Sequence, residues 1–198
     1  MKSLVKTDHG FGNLELQDKP VPEAGKDQVK IEVKYAGVCG SDIHTYEGHY
    51  KVGVPVTLGH EFSGVVVDVG EGVTEFKPGD RVTSETTFFI CGECEYCLTK
   101  DYNLCPYRKG LGTQQDGGFA KYLVARKNSV HHLPENVDFK SASMTEPLAC
   151  KHHAAEKVDI HDGDLAVVIG PGPIGLFMAQ VAKSRGAKVM ITGLTNDK

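Results

Sequence analysis

Four cysteines on one short segment constrain the fold of this chain more than any other feature. They are Cys91, Cys94, Cys97 and Cys105, spaced C-x2-C-x2-C-x7-C, and they make up four of the six cysteines in the chain. Four soft thiolates meet the tetrahedral demand of a closed, structural zinc site, which leaves no open coordination position for chemistry. We therefore predict a zinc-binding lobe over residues 91–105, called the thiol lobe below.

Disulfides or an iron–sulfur cluster would also use these cysteines, with different chemistry. Two disulfides are disfavoured because the first three thiols are spaced too closely for a stapled core, and because no secretory leader follows Met1. An iron–sulfur cluster is suggested by the Cys105-Pro106 ending, but the last gap is seven residues rather than three. Such an electron carrier would be coloured when purified. Zinc is the favoured interpretation.

The composition argues against several function classes. A net charge of −4 over 198 residues disfavours a nucleic-acid surface. The longest apolar stretches have about the length of a strand, well below the ~20 residues that cross a bilayer. Thiols kept for metal, without a leader, indicate a reducing compartment. We expect a cytoplasmic protein that binds neither nucleic acid nor membrane.

The pattern predicts two domains. Residues 1–145 are punctuated by Gly, Pro and Asp and are predicted to be mainly β, with strands at Ser3–Thr7, Asn13–Gln17, Val29–Tyr35, Phe62–Val69, Arg81–Thr86 and Phe119–Val124. Val29–Lys34 alternates and should bury one face, whereas Val65–Val67 should be buried on both. Residues 146–198 are predicted to hold a linking helix and one β-α-β unit.

The elements of this second part are a helix, a strand, a helix and a strand. They are predicted at Ser141–Val158, with Ser143 or Thr145 as the N-cap, and at Leu165–Ile169, Ile174–Ser184 and Lys188–Thr192. One β-α-β unit cannot bury both faces of its strands. We therefore expect the chain to be cut inside a domain, with exposed apolar surface on Leu165–Ile169 and the following helix that favours self-association.

A glycine-rich turn lies between that strand and helix. Gly170, Gly172 and Gly175 match G-x-G-x-x-G in the strand–turn–helix context that dinucleotide binding requires. Gly170 permits the tight turn, Gly172 allows close approach of a pyrophosphate, and Gly175 allows the helix to pack on the strand. The start of the helix, at Pro173 and Ile174, offers free amides and a positive dipole end to the phosphates. The turn predicts a nicotinamide dinucleotide cofactor.

A second group of metal-ligand residues lies upstream of the thiol lobe. Cys39 and His60 are the natural pair, with an acidic ligand from Glu61 or Glu146. Each of the pair also suits an ordinary structural role, since Cys39 alone would serve as a small buried residue and His60 alone as a hydrogen-bonded turn residue. Together with the thiol lobe and the glycine turn, the group favours a catalytic zinc site with an open position.

These motifs, taken in order, resemble a known family. The sequence is similar to the zinc-containing medium-chain dehydrogenase/reductases of the alcohol dehydrogenase superfamily, and most similar to their sorbitol (polyol) and threonine dehydrogenase branches. The resemblance is carried by residues 39–44 (CGSDIH), 59–64 (GHEFSG), 77–82 (KPGDRV), the thiol lobe, 117–120 (GGFA), 146–148 (EPL) and the glycine turn. It implies a GroES-like β-barrel catalytic domain followed by the start of a Rossmann domain.

The resemblance also implies roles for single residues. Cys39, His60 and Glu61 match catalytic-zinc positions, and Glu146 matches a further ligand position at which water can replace it. Asp42 matches a residue that orients the histidine ligand, and Ser41 and His44 match a proton relay. Cys150 lies one helical turn after Glu146, where a ligand role is geometrically possible, but the family has no ligand there, so we expect Cys150 to be buried and to serve packing. The remaining histidines are expected at the surface or in turns (His9, His49, His131, His132, His161) or as structural or near-cofactor residues of the linking helix that bind no metal (His152, His153).

The function implied is a zinc- and NAD(P)-dependent dehydrogenase of a secondary alcohol, a polyol or hydroxy amino acid, working as a homo-oligomer (dimer or tetramer). The 198-residue fragment itself is expected to be inactive. The alternative is a non-catalytic, zinc-stabilised binding module. Whether coding sequence continues past Lys198 would discriminate between the two, since a completed Rossmann half supports the enzyme.

The choice between NAD and NADP depends on the end of the second strand. NAD-specific domains place Asp or Glu there to hold the ribose 2′-hydroxyl. The family's acidic position falls on Gly193, which neither accepts that hydrogen bond nor repels a 2′-phosphate. Donors to such a phosphate are available from Thr192, Thr195, Asn196 and Lys198, whereas Asp197 should point to solvent. The sequence therefore favours NADP.

Overall fold

The chain divides into two units, and the computed structural model describes residues 1–194 of it. The first unit is Met1–Met144 and the second begins at Thr145. The strands of the first unit are β1 (Lys2–Lys6), β2 (Leu14–Asp18), β3 (Gln28–Gly37), β4 (Val56–Thr57), β5 (Glu61–Val69), β6 (Arg81–Ser84), β7 (Thr87–Phe89), β8 (Lys109–Gly110), β9 (Tyr122–Arg126) and β10 (Val130–His132). Its helices are α1 (Gly40–Tyr46), α2 (Glu95–Leu98) and α3 (Phe139–Ala142).

Antiparallel pairing organises these strands into sheets. The largest has the order β10-β6-β5-β3-β9, a second has the order β2-β1-β4, and β7 pairs with β8. Strand β3 lies between two partners in the large sheet: it pairs with β5 from Val29 to Gly37 and with β9 from Gln28 to Glu32. The mainly β character predicted for this region is confirmed.

The core of the large sheet follows from the alternation in β3. Val29 and Ile31 are fully buried while Lys30 and Glu32 are not, as the period-2 pattern predicts. They pack with Phe62 and further apolar residues of neighbouring strands. The prediction that Val65–Val67 is buried on both faces is wrong: only Val66 is buried, because successive side chains of an antiparallel strand point to opposite faces.

The second unit contains α4 (Thr145–Ala155), β11 (Leu165–Ile169), α5 (Pro173–Ser184) and β12 (Lys188–Thr192). β11 and β12 are parallel and in register from Leu165 opposite Lys188 to Ile169 opposite Thr192. The predicted β-α-β unit is confirmed. The single helix predicted over Ser141–Val158 is wrong, since α3 and α4 are separate helices. Asp138 caps α3 by accepting a hydrogen bond from the Ser141 amide.

The apolar surface predicted for the β-α-β unit is exposed in the structure. Leu165 is 64% exposed, Val167 54% and Ile169 86%, while Val168 is buried. The alternate exposure arises because one helix covers only one face of two strands. Among residues 1–194, none of the helices combines the length and apolar character needed to span a bilayer.

Candidate metal centres and nucleotide site

The four thiols of the lobe converge on one point. Neighbouring sulfurs lie 3.5 Å (Cys94–Cys97), 3.6 Å (Cys105–Cys91) and 3.9 Å (Cys91–Cys97) apart. A tetrahedral zinc with Zn–S bonds of about 2.3 Å spaces its sulfurs about 3.8 Å apart, whereas a disulfide needs about 2.0 Å. The spacing therefore fits four thiolates around one zinc ion and does not fit disulfides.

Local backbone structure builds the lobe. Cys94 precedes α2 as its N-cap residue, and the Cys94 amide donates to the Cys91 sulfur at 3.4 Å. A 3-10 turn over Tyr102–Leu104 returns the chain, so that the Cys91 amide donates to the Cys105 sulfur at 3.5 Å. Amide donors stabilise thiolate, the form that binds metal.

The thiols do not ionise equally easily. The amides of Glu93 and Cys94 lower the pKa of Cys91 to about 7. Burial and the neighbouring thiols raise the pKa of Cys97 to about 12. A cluster of this kind cannot hold four thiolates by itself, and a divalent cation is what makes four thiolates compatible at neutral pH.

A tyrosine–glutamate contact joins the lobe to the large sheet. The Tyr102 hydroxyl donates to both carboxylate oxygens of Glu85 at 3.1 Å, and His131 Nε2 lies 3.2 Å from the same carboxylate. Burial and the Glu85 charge raise the pKa of Tyr102. Sequence reasoning missed these residues, because Glu85, Tyr102 and His131 are far apart in the chain and match no motif.

A second cluster joins Cys39, His60 and Glu61, called the Cys39 cluster below. One ligand atom of each lies within 4.8 Å of the others, and Glu61 is buried. Cys39 stands at the junction of β3 and α1, and His60 immediately precedes β5. Because Gly37 of β3 pairs with Glu61 of β5, the sheet register brings the two segments together.

The position of His60 depends on the segment over residues 117–119. Gly59 has φ +91°, and a Cβ there would lie 2.5 Å from the Phe119 ring. The Gly118 amide donates to the Gly59 carbonyl at 2.7 Å. The GGFA motif at residues 117–120 therefore fixes the backbone in front of His60.

Asp42 ties the cluster together. Its Oδ2 accepts from the Cys39 amide at 2.9 Å, and its Oδ1 lies 3.8 Å from His60 Nδ1. Burial raises the pKa of Asp42 against the opposing effects of the Cys39 amide and His60. Within residues 1–194, the buried His60 Nδ1 has no hydrogen-bond partner. The sulfur of Cys39, the imidazole of His60 and the carboxylate of Glu61 are a donor set that fits a three-ligand zinc site.

Ser41 and His44 both lie on α1, three residues apart. Ser41 is half-buried and His44 is exposed, with its Nδ1 3.1 Å from Glu47 Oε2. Ser41 is thus less exposed than His44, and the relay role of the two residues stays a prediction. In the part of the chain that the structure describes, no direct hydrogen bond joins them.

Glu146 lies in the second unit, in the first turn of α4. The Cys150 thiol, one turn later, donates to Glu146 Oε1 at 3.7 Å. The expectation that Cys150 is buried is wrong, since it lies on an exposed part of α4. A metal-ligand role for Glu146 stays a prediction.

The glycine turn has the geometry that its sequence implies. Gly170 has φ +103°, and a Cβ on Gly175 would lie 1.9 Å from the Gly170 carbonyl oxygen. Gly172 is the N-cap of α5, and Pro173 is its first residue, followed by Ile174. The turn, the helix start and the strand end therefore lie together as the fingerprint requires.

The candidate ribose position lies beside this turn. The Gly170 amide donates to the Thr192 carbonyl at 2.8 Å, which places the end of β12, and Gly193 after it, next to the glycine turn. The predicted phosphate donors Thr195, Asn196 and Lys198, together with Asp197, lie outside the described residues.

Comparison with known proteins identifies relatives over the whole chain. The family described as "Alcohol dehydrogenase GroES-like domain" matches residues 25–135. The chain is 69% identical over 198 residues to a sorbitol dehydrogenase of Halalkalibacterium halodurans, covering all of this chain and 58% of that enzyme. It is 53% identical over 199 residues to a D-arabitol-phosphate dehydrogenase of Enterococcus avium, covering all of this chain and 56% of that enzyme.

Solved structures agree with the sequence matches. A protein of Sinorhizobium meliloti 1021, described as a zinc-binding dehydrogenase and crystallised with NADP, superposes with a TM-score of 0.90 at 34% identity. The match covers 96% of this chain and 55% of that one. The chain thus spans a little over half the length of these relatives. The predicted fold class, a GroES-like domain followed by the start of an α/β unit, is confirmed.

Proposed function

We propose that the whole protein is an oxidoreductase that transfers hydride between a secondary alcohol and a nicotinamide cofactor. The basis is family membership, since the chain belongs to the alcohol dehydrogenase GroES-like domain family. Residues 1–145 would be its catalytic domain, and residues 146–198 would be the linking helix and first β-α-β unit of its Rossmann domain. The substrate class would be a polyol or a hydroxy amino acid.

The observation that carries this proposal is the convergence of Cys39, His60 and Glu61. Three ligands of mixed type within 4.8 Å of one another are the set that a catalytic zinc site uses while keeping a position open. Bound there, zinc would supply Lewis acidity that lowers the pKa of a substrate hydroxyl. Glu61 is favoured over Glu146 as the acidic ligand because it already lies in the cluster, whereas Glu146 would coordinate directly or hold a water.

The remaining roles belong to residues on α1. Asp42 would fix the direction of His60, since its carboxylate is anchored by the Cys39 amide and faces the imidazole. Ser41 would accept the proton of the substrate hydroxyl while releasing its own hydroxyl proton towards His44, and His44 would pass a proton on to solvent. His44 is suited to that last step because its imidazole is exposed to solvent.

The thiol lobe would hold a second, structural zinc through Cys91, Cys94, Cys97 and Cys105. Its sulfur spacing supports this assignment, and four protein ligands leave no room for substrate. Metal-bound thiolates also support a reducing, cytoplasmic location.

The glycine turn would bind the pyrophosphate of the cofactor through Gly170, Gly172 and Gly175. Pro173 and Ile174 are the first residues of α5, whose N-terminus would face that pyrophosphate. Gly193 beside this turn supports NADP over NAD, since the position lacks a carboxylate that would hold the 2′-hydroxyl. We further propose a homo-oligomer, a dimer or tetramer, which light scattering would test.

The decisive experiment measures alcohol oxidation by the whole protein. Sorbitol, other polyols and L-threonine would be assayed with NAD and with NADP, alongside a Cys39→Ala variant. We expect zinc-dependent turnover of at least one of these alcohols, reduced by well over 100-fold in the variant, which exceeds the roughly 10- to 100-fold typical of residues that only orient a ligand. Equal rates in the variant would contradict the proposed site, and a clear preference for NAD would contradict the inference from Gly193.

The chain of residues 1–198 by itself would be a poor catalyst. The crevice for the nicotinamide forms where the two halves of a doubly wound sheet meet, and residues 146–198 supply only one β-α-β unit of that sheet. Robust turnover by the purified 198-residue chain would contradict this part of the proposal.

A further inference from the structure

Three metal-ligand side chains outside both zinc sites converge at the end of α1. Glu47 Oε2 lies 3.1 Å from His44 Nδ1 and 3.4 Å from His49 Nδ1. One ligand atom of each residue lies within 4.8 Å of the others. Both imidazoles are exposed, so the group is open to ions from solvent.

The distances resemble those around a bound ion. A tetrahedral zinc with ligands about 2.0–2.1 Å away spaces those ligands about 3.3–3.4 Å apart. The two imidazole–carboxylate distances are already close to that value. The ligand atoms of the two imidazoles lie within 4.8 Å of each other, and both side chains are exposed and so have room to rotate towards a shared ion.

The backbone holds the three residues in place. The amides of His49 and Tyr50 both donate to the His44 carbonyl, at 2.9 and 3.1 Å. Gly48, which lies between Glu47 and His49, has φ +82°, and a Cβ on it would lie 2.7 Å from the Gly10 carbonyl carbon. This turn therefore brings His49 back beside His44, and it is fixed by packing against another segment.

We propose that His44, Glu47 and His49 form a third cation site, which takes a divalent transition-metal ion such as Zn²⁺ from solution. Two imidazoles and a carboxylate suit such an ion, and water would complete its coordination. The proposal has a consequence that rests on the proposed function: an ion on His44 occupies the imidazole that would carry the proton out. Occupancy would then slow alcohol oxidation.

Zinc binding to the whole protein tests the site without measuring activity. Protein that already carries its tightly held zinc would be titrated calorimetrically with Zn²⁺, as wild type, His49→Ala, Glu47→Gln and, as an exposed-histidine control, His9→Ala. We expect one further ion in wild type and His9→Ala, and an affinity lower by at least about 10-fold in the other two, each of which loses a ligand rather than a residue that only orients one. No further uptake, or uptake unchanged in both His49→Ala and Glu47→Gln, would overturn the site.

A second readout separates this site from the enzymatic role. In the alcohol oxidation assay, added Zn²⁺ should inhibit wild type and His9→Ala at concentrations at least about 10-fold below those that inhibit His49→Ala. Uptake without inhibition would overturn the regulatory consequence and count against His44 as a relay residue. Absence of turnover in every variant before zinc is added would instead contradict the proposed function, and the titration would still decide on the site.

Discussion

The thiol lobe and the Cys39 cluster are both candidate zinc sites, yet they are built in opposite ways. All four ligands of the lobe come from residues 91–105, and short turns bring their sulfurs to 3.5–3.9 Å. The Cys39 cluster takes its ligands from the β3–α1 junction and the start of β5, and it depends on the Gly117–Phe119 segment for support. A local site can be closed around its metal, whereas an assembled site can be left open for chemistry.

The largest difference is expected in stability. Cys97→Ser should lower the free energy of unfolding by about 4 kcal/mol or more, since loss of a structural metal is one of the few single changes with such an effect. Cys39→Ala should cost less, because the sheet around it is held by its own core. Thermal unfolding would compare the two, with Cys150→Ser as a matched cysteine control outside both sites. Similar losses in Cys97→Ser and Cys39→Ala would break the comparison.

A smaller effect should appear where the sheet meets the Cys39 cluster. A Cβ on Gly37 would lie 2.5 Å from Glu61 Oε2, so Gly37→Ala should displace the carboxylate and weaken zinc binding at that cluster by roughly 10- to 100-fold. Gly40→Ala is the matched control, because a Cβ there meets nothing within 4 Å. Zinc affinity measured by chelator competition should fall only in Gly37→Ala. Equal affinities in the two variants would remove Glu61 from the ligand set.

The smallest effect concerns a contact that supports the cluster from a distance. Asp116 accepts a hydrogen bond from the Thr57 amide at 2.8 Å and pairs with Lys19, next to the Gly117–Phe119 segment. Burial opposes ionisation, but these partners lower the pKa of Asp116 below its ordinary value. Asp116→Asn should therefore cost about 1 kcal/mol or less at neutral pH, because the pair is partly exposed.

The pH dependence of this contact has a definite sign. A carboxylate whose pKa is lowered by folding contributes stability above its unfolded pKa of about 3.9, and that stability is lost as the pH falls through the folded pKa. The difference between wild type and Asp116→Asn should therefore be constant from pH 7 to pH 5 and shrink below about pH 4. Urea unfolding at pH 7 and pH 3.5 would measure it. A difference that grows in acid would contradict the assigned direction.

The same contrast explains what the sequence could predict. The lobe and the glycine turn were predictable because their residues are neighbours in sequence, so spacing alone reports geometry. Cys39 and Glu61 lie close together because Gly37 of β3 pairs with Glu61 of β5. The spacing of residues in the sequence carries no information on the register between two distant strands. The Glu85–Tyr102 contact was missed for the same reason. The turn that returns His49 to His44 is local in sequence, but it matches no motif and is fixed by the packing of Gly48 against Gly10.

Local patterns also failed where tertiary context decides. The run Val65–Val67 looks buried on both faces, but its strand lies in an antiparallel sheet and alternates. The stretch 141–158 looks like one helix, but Asp138 caps a short helix that ends before Thr145.

The central claim is that one chain holds two tightly bound zinc ions, one in each of these contrasting sites. Zinc would be counted by elemental analysis of the dialysed, folded whole protein as wild type, Cys91→Ser and Cys39→Ala. We predict two zinc ions per wild-type chain and one in each variant. One ion or fewer in wild type, with the count unchanged by Cys91→Ser, would contradict the assignment of the thiol lobe as a zinc site.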